Sequence, residues 1–453
     1  MIPHAAPSAG FSRWVHLDVL RGIAILLVLG AHTPFRLPDE TFGHGFYDLW
    51  RRLGWVGVDL FFVLSGFLIG GLLFAEHRRH GGIHFGRFLL RRTLKIWPAY
   101  LVFLAAAFAW DVRYAPDHSA GLLTRIGASA HAIWPYLIHV QNYLDTPMIE
   151  RIGHAWSLAV EEHFYLLLPL LLLGMGWWAH RRKRVTGGPP VTPFRSLPWI
   201  GLGLAIVCLG LRCHAWQTSV EFDEFKLHWP THLRIDSLFA GVVLAYAVQF
   251  SRGWIESLRP WRWAILGGGV GCFAPFAWIP LTTGFACTIG FTLLAIGSMA
   301  LVLAAWFQSV PSPHPAIHFA AEPPIALGIA QRCLLAITLV LAKVGERSYS
   351  IYLWHMPFTV PVVMKLHGRT GNMGLWGSRW HYSVVTGIYV LGAIGLGSIL
   401  FALVEAPSVA LRDRWFPSRS RFEAKRREIL AKDPSRKLHL PSPDSSEQLR
   451  PAV

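Results

Sequence analysis

Ten apolar stretches divide the chain into alternating apolar and polar segments. A helix needs about 20 predominantly apolar residues to cross a bilayer, at a rise of 1.5 Å per residue. The repeated length of these stretches predicts an all-α, polytopic transmembrane helix bundle of about ten spans. The stretches are 17–35, 54–75, 96–112, 156–178, 198–213, 234–250, 263–280, 285–306, 347–365 and 382–404.

Lysine and arginine are distributed unevenly between the two sets of connecting loops. Segments 76–95, 179–197 and 251–262 carry six, five and three of them, and the alternate loops carry three, three, one and two. Because basic loops face the cytoplasm, we predict that these loops and both termini are cytoplasmic, in a bacterial inner membrane. The predicted regions are a cytoplasmic N-terminus at 1–16, a transmembrane domain at 17–407, and a basic, disordered cytoplasmic tail at 408–453.

An eleventh apolar run, at 333–342, is shorter than the others. Counting it as a span would move the basic tail to the opposite side of the membrane. We therefore expect an interfacial or buried helix on the cytoplasmic side.

The overall composition supports a membrane protein and argues against nucleic acid as a partner. Of the 453 residues, 53% are hydrophobic and only 15% are charged, compared with about 25% charged in soluble domains. The net charge of +16 comes from short basic blocks between apolar runs, which is typical of membrane topology signals. The five cysteines lie in or next to apolar runs and form no C-x-x-C pair, so neither a zinc site nor a disulfide framework is expected, and no other metal site is predicted.

The first apolar stretch contains two ionisable residues, Arg21 and His32. Their spacing of eleven residues is close to three helical turns, so both lie on one face, about 16 Å apart along the axis. Ionisable groups inside a bilayer are candidates for function by default. The alternative is that each side chain only anchors the helix at one membrane interface.

The next spans add three further groups of polar residues. Asp59 begins the second span, and Ser65 lies near its middle among small residues that allow close helix packing. The segment RRTLKIWP places Arg91, Arg92 and Lys95 at the start of the third span. Such a block is a topology signal, or an anion site that would suit a phosphorylated cytosolic donor.

Adjacent carboxylates open the fourth span, at Glu161 and Glu162. Two acids that lead into an apolar run indicate a functional role. Arg234 and Asp236 begin the sixth span, where we expect a structural ion pair between them.

An aromatic stripe lies on the ninth span, where Tyr349, Tyr352 and His355 step by three residues along one helix face. Stripes of this kind are usually packing.

Several of these segments together resemble one family. The chain between about 14 and 410 resembles the acyltransferase-3 family of integral membrane acyltransferases. The resemblance implies transfer of an acyl group, commonly acetyl, to a hydroxyl of an envelope polysaccharide, lipid-linked sugar, glycolipid or small molecule. The family's Arg and His signature falls on Arg21 and His32, and its basic R-x-x-R element falls on Arg92 and Lys95. The segments are LRGIAILLVLGAH, FFVLSGFLI, RRTLKIWP, WSLAVEEHFYLLLP, RIDSLFAG, GERSYSIYLWHMPF and a final E-x-P.

Depth in the membrane and family resemblance together suggest a mechanism. Cytosolic acyl-CoA, the donor substrate, would dock at Arg91, Arg92 and Lys95, with Arg21 on the route into the bundle. His32 would act as general base or as a transient acyl carrier, and Glu161 or Glu162 would stabilise its imidazolium. No bound cofactor is expected, and the partners are acyl-CoA, the acceptor and the lipid bilayer. The acceptor-side or supporting residues are Asp59, Ser65, Asp236, Tyr352 and His355.

Two other functions fit parts of the pattern. The first is transfer of a longer or dicarboxylic acyl group, such as succinyl. The second is membrane transport through the polar intramembrane residues, which would predict related halves and discontinuous helices. The sequence contains no visible internal repeat.

Overall fold

The structure is a computed structural model that describes residues 15–35, 39, 43–114, 121–145, 152–186, 193–308, 328–372 and 377–417. Within these ranges every regular element is a helix, so the predicted all-α bundle is confirmed. The helices are α1 (Val15–Ala31), α2 (His44–Leu53), α3 (Gly57–His80), α4 (Phe85–Arg113), α5 (Leu122–Leu137), α6 (Trp156–Thr186), α7 (Leu197–Thr218), α8 (Glu224–Leu227), α9 (Thr231–Phe250), α10 (Arg252–Ser257), α11 (Arg262–Phe273), α12 (Phe291–Gln308), α13 (Ile329–Glu346), α14 (Ser348–Trp354), α15 (Val360–Asn372), α16 (Gly377–Leu400) and α17 (Ala406–Trp415).

Seven helical segments in the described residues are long and apolar enough to cross a membrane. They coincide with seven of the ten predicted spans. The other three are also helical, but shorter or interrupted. Helix α1 has 17 residues, α11 has 12, and a π-helical turn at His355–Thr359 separates α14 from α15.

Helix α1 lies inside the bundle, with Ala24, Ile25 and Val28 fully buried. The start of α3 packs against the end of α1, because Gly54 lies against the backbone of Ala31. The two helices therefore run antiparallel. We call the two ends of the bundle the Arg21 end and the His32 end.

Helices α3 and α9 run parallel and touch along their backbones. A Cβ at Gly66 would overlap the carbonyl oxygen of Leu238, and one at Gly241 would overlap that of Val63. Small residues permit this approach, as expected from the small residues around Ser65. The contact fixes the depth of each polar side chain on α3 relative to α9.

The eleventh apolar run lies within α13, whose last turns pack antiparallel on α1. Gly345 meets the backbone of Asp18, and Leu341 meets Gly22. The first half of α13 exposes apolar side chains such as Leu334, and α13 is not among the seven candidate spans. Its placement on the cytoplasmic side stays a prediction.

The last helix, α17, continues past the predicted boundary at 407 to Trp415. Residues 1–14 and 418–453, which include most of the predicted terminal regions, lie outside the described residues.

Candidate active site

A cavity of about 340 Å³ lies between α3, α4 and α6, within the range of about 300–1,000 Å³ that is typical of small-molecule sites. Apolar residues of α3 from Val58 to Leu72 form one wall. We call this space the Arg21 cavity. Its polar lining residues are Arg21, Ser65, Arg92, Lys95, Ser157, Glu161, Glu162, Tyr165, Glu346, Ser348, Tyr349, Tyr352 and Glu405.

The three cations of the Arg21 cavity have different partners. Arg21 forms an ion pair of 2.7 Å with Asp18, one turn earlier in α1. The guanidinium of Arg92 lies 5.3 Å from the ring centroid of Tyr165. In the part of the chain that the structure describes, neither Arg92 nor Lys95 has a carboxylate within 4.0 Å. Neither cation therefore forms a direct ion pair among the described residues, although Glu161 and Glu405 interact with them electrostatically at longer range.

The carboxylates of the same cavity are bound mainly by hydroxyl groups. The Tyr165 hydroxyl donates to Glu161 at 2.7 Å and lies 2.9 Å from the Ser65 hydroxyl. Ser350 donates to Glu405 at 2.7 Å. The cavity thus offers both cations and hydrogen-bond acceptors to a ligand that carries anionic groups and N–H donors.

Arg91 is the one predicted donor-binding residue that lies outside this cavity. Its guanidinium donates to Asp413 at 3.1 Å and to the carbonyl of Phe416. Arg91 and Arg92 point about 100° apart on α4, and only Arg92 faces the cavity. Arg91 attaches α17 to α4 instead.

A second cavity, of about 840 Å³, lies at the His32 end and is named the His32 cavity. It combines aromatic side chains with carboxylates and histidines, a lining that can stack on a ring and hydrogen-bond to hydroxyls. The residues of these three types are His32, Trp55, Asp145, His154, Trp156, Asp223, Glu224, Phe225, His228, Trp229 and Tyr352.

Three histidines converge at this end of the bundle. The ring centroids of His32 and His355 are 5.0 Å apart, those of His154 and His355 are also 5.0 Å apart, and His32 is 6.5 Å from His154. His32 is oriented by the carbonyl of Val28, 3.0 Å from its Nδ1. The sequence analysis proposed His32 and His355 but missed His154, although GHAW immediately precedes the carboxylate motif.

Glu161 and Glu162 do not reach His32. Helix α6 begins at Trp156, which places both carboxylates about 8 Å further along the axis, in the Arg21 cavity. No carboxylate among the described residues lies within 4.0 Å of His32. The structure therefore differs from the expectation that Glu161 or Glu162 stabilises the His32 imidazolium, because His154 occupies the corresponding level.

His228, which the sequence analysis also missed, lines the His32 cavity with both ring nitrogens unbonded in the described structure. Burial, with a contribution from Arg234, holds the pKa of His228 well below its ordinary value. Its ring is therefore neutral near pH 7. It stacks on Phe291 with the ring planes 5° apart.

Tyr352 lines both cavities. Its hydroxyl lies 2.7 Å from that of Ser157, at the start of α6, and donates to the carbonyl of His154. Val58 is the other residue common to both linings. The predicted aromatic stripe therefore contains a residue at the junction between the two cavities, in addition to its packing role.

Asp59 and Asp236 lie in neither lining and form buried ion pairs. Asp59 binds Arg234 at 2.7 Å, and Asp236 binds Arg212 through both carboxylate oxygens, at 3.2 and 2.9 Å. The predicted pair between Arg234 and Asp236 is wrong, because residues two apart on a helix point to nearly opposite faces. Arg212, at the end of an apolar stretch, was the overlooked signal.

The geometry suits group transfer between two substrates that enter different cavities. One cavity offers unpaired cations, the other offers histidine lone pairs, and Tyr352 lies between them. Among the residues that the structure covers, no group of three or more His, Cys, Asp or Glu side chains is arranged to hold a metal ion.

Known proteins resemble this chain along most of its length. The peptidoglycan O-acetyltransferase OatA of Listeria monocytogenes is 25% identical over 360 residues, which are 77% of this chain and 50% of that protein. The O-acetyltransferase OatA of Staphylococcus aureus is 27% identical over 76% of this chain and 50% of its own length. The chain therefore spans about half the length of these curated relatives. No solved structure matches it.

The family resemblance is confirmed by a direct match. Residues 14–401 match the acyltransferase-3 family, described as an acyltransferase domain. This range contains every predicted site residue and every lining residue of the two cavities except Glu405. The chain belongs to the acyltransferase-3 family of integral membrane acyltransferases.

Proposed function

We propose that this protein is an O-acetyltransferase that moves an acetyl group from cytosolic acetyl-CoA to a hydroxyl of a cell-envelope polysaccharide. The observation that carries the proposal is the juxtaposition of two chemically different cavities at one tyrosine, Tyr352. An acyl group that enters through the first cavity meets a hydroxyl held in the second.

The Arg21 cavity supports acyl-CoA as the donor. Arg92 and Lys95 form no direct ion pair among the described residues, and cations of this kind can make charge-assisted contacts to phosphate. The carboxylates of Glu161 and Glu162 can accept from the amide N–H groups of the pantetheine arm. This division of roles accounts for charges of both signs in one cavity without a direct ion pair across it.

The His32 cavity supports a carbohydrate acceptor. Trp55, Trp156 and Trp229 provide apolar faces, while Asp145 and Asp223 provide acceptors for sugar hydroxyls. Relatives that are named for O-acetylation, one of them of peptidoglycan, support the same class of acceptor.

His32 is proposed as the general base. Because its Nδ1 faces the carbonyl of Val28, Nε2 is the nitrogen with a free lone pair in the neutral ring. It removes the proton of the acceptor hydroxyl, whose oxygen then attacks the thioester carbon. The C–S bond breaks, and the proton ends on the CoA sulfur.

The proposed orientation puts the Arg21 end in the cytoplasm and the His32 end on the outer side of a bacterial inner membrane. The basic loops support it, since cytoplasmic loops carry an excess of lysine and arginine. Both termini are then cytoplasmic.

The proposal is tested by transfer of radiolabelled acetyl from acetyl-CoA to peptidoglycan fragments by the full chain in proteoliposomes. Replacing His32 with Ala should reduce the formation of alkali-labile acetyl ester by about 100-fold or more. His131→Ala, which changes an exposed histidine of α5, should keep full activity. Ester formation by the His32 variant at the wild-type rate would refute the role of His32, and preferential use of succinyl-CoA would replace acetyl by a dicarboxylic acyl group.

A further inference from the structure

Three helices meet where the Arg21 cavity adjoins the His32 cavity. Val58 of α3 and Tyr352 of α14 line both cavities. Helix α6 contributes its first turn, because Trp156 lines the His32 cavity and the next residue, Ser157, lines the Arg21 cavity. We call this place the junction. An acyl group carried by a donor in one cavity reaches an acceptor in the other only at the junction.

Val58 is held in place on its side of the junction. Gly57, the preceding residue, packs so closely on α1 that a Cβ there would lie 2.5 Å from the carbonyl oxygen of Ala24. Asp59, the following residue, is bound to Arg234 at 2.7 Å. The Val58 side chain is 8% exposed, and a β-branched side chain in a helix has one strongly preferred rotamer. Its two methyl groups therefore keep a fixed position.

Tyr352 is equally constrained on the other side of the junction. Its hydroxyl lies 2.7 Å from that of Ser157 and donates to the carbonyl of His154. A tyrosine hydroxyl carries one hydrogen, so this donor is already used. Val58 and Tyr352 together offer a ring and two methyl groups to an acyl group, with no spare hydrogen-bond donor.

This lining limits both the size and the polarity of the acyl group. When the acyl carbon lies at the junction, its alkyl part lies against Val58, because the Arg21 cavity behind it is filled by the pantetheine arm in the proposed function. Each further methylene then needs space that Val58 occupies, and overpacking a well-packed interior is unfavourable. The carboxylate of a succinyl group would lose water beside methyl groups without gaining a donor from these two residues, which is costly.

We propose that Val58 is a specificity-determining residue that restricts the transferred group to acetyl. The proposal rests on the proposed function and deepens it. Val58 takes no part in making or breaking bonds. Its bulk excludes longer acyl chains, and its apolar surface excludes dicarboxylic ones.

The test compares acyl donors in Val58→Ala, using the proteoliposome assay with the full chain. The wild-type protein should prefer acetyl-CoA to butyryl-CoA by about 100-fold or more in kcat/KM, since one methylene in an apolar pocket is worth about 10–200-fold. Val58→Ala should lower this preference at least about tenfold, because the space of two carbons becomes available. Val58→Leu, which adds a carbon, should raise the preference for acetyl-CoA over propionyl-CoA about tenfold. Each preference compares two donors on one preparation, so it does not depend on the folded fraction.

Val63→Ala is the matched control. It removes the same two carbons from another buried valine of α3, which packs against α9 outside both linings. Its preference for acetyl-CoA should equal that of the wild type even if its thermal unfolding midpoint falls. An equal loss of preference in both alanine variants would mean that general loosening of α3 is responsible, and would overturn the proposal.

Two further results would overturn the role of Val58 while leaving an active acyltransferase. One is an unchanged donor preference in Val58→Ala and Val58→Leu. The other is wild-type use of butyryl-CoA or succinyl-CoA as efficient as that of acetyl-CoA. Absence of transfer from every donor by the wild-type chain would instead refute the proposed function itself, and this inference with it.

Discussion

The buried ion pairs of α9 and the cations of the Arg21 cavity are built from the same residue types but differ in their partners. Arg234 and Arg212 each meet a carboxylate and are completely buried. Arg92 and Lys95 meet none within 4.0 Å in the described residues and line a cavity. The arginines of the first group are paired within the protein, and we call them the closed group. The cations of the second group can bind a ligand, and we call them the open group.

The difference teaches that a polar residue inside an apolar helix indicates a site only when its partner is missing. An intramembrane charge is a functional candidate by default, and Asp59 and Asp236 satisfied that rule as well as His32 did. Their carboxylates are nevertheless matched by arginines on neighbouring helices. These pairs join α3, α7 and α9 at the His32 end.

The largest expected effect is the loss of folding stability when an ion pair of the closed group is broken. Asp59→Ala leaves Arg234 buried without its counter-ion, and breaking a buried pair in this way costs about 3–5 kcal/mol. We expect a clear fall in the thermal unfolding midpoint of the purified protein in detergent. Glu256→Ala breaks a partly exposed pair with Arg259 and should cost at most about 1 kcal/mol. Similar shifts for both variants would show that Arg234 does not depend on Asp59.

An intermediate effect, on binding and not on folding, is expected in the open group. Lys95→Ala and Arg92→Ala should each raise the KM for acetyl-CoA about tenfold, the loss of one charge-assisted contact. The unfolding midpoint should stay constant or rise, because the buried cation that is removed forms no direct ion pair. Steady-state kinetics and unfolding of the same preparations check both statements. An unchanged KM together with a fall in stability would move these residues into the closed group.

The smallest effect is expected for Arg91. Its partners Asp413 and Phe416 lie on or just after α17, so Arg91→Ala should leave the KM for acetyl-CoA unchanged and loosen α17 by about 1 kcal/mol or less. Limited trypsin digestion should cut faster after Arg412 and Arg414 in this variant. A raised KM would return Arg91 to the donor site.

The sequence was sufficient for the helical class and for several site residues. Periodicity and spacing predicted that Arg21 and His32 share one face of α1, and Arg21, Arg92 and Lys95, which were assigned to one donor site, line one cavity. Glu161 and Glu162 were expected beside His32 but line that same cavity instead. What it could not predict were partners across helices. Arg234 pairs with Asp59 instead of Asp236 because of the depth at which α3 packs on α9. That depth is set by the contact of Gly66 with α9.

The sequence also could not predict which side chains lie at the same position along the bundle axis as His32. A carboxylate was expected beside His32 because Glu161 and Glu162 were the nearest acids to the outer boundary. Residues before the first turn of α6 reach that level instead, and His154 is one of them. Only the observed start of α6 at Trp156 shows that His154, and not a carboxylate, lies beside His32.

The position of Tyr352 between the two cavities has a consequence for the ion gradients across the membrane. In the proposed orientation, the Arg21 cavity lies on the cytoplasmic side of Tyr352 and the His32 cavity on the outer side. Tyr352 and Val58, common to both linings, are then the residues that separate the two sides of the membrane between these cavities. The same side chain must let an acyl group pass and block the leak of protons, which favours a bulky, hydrogen-bonded residue at this position.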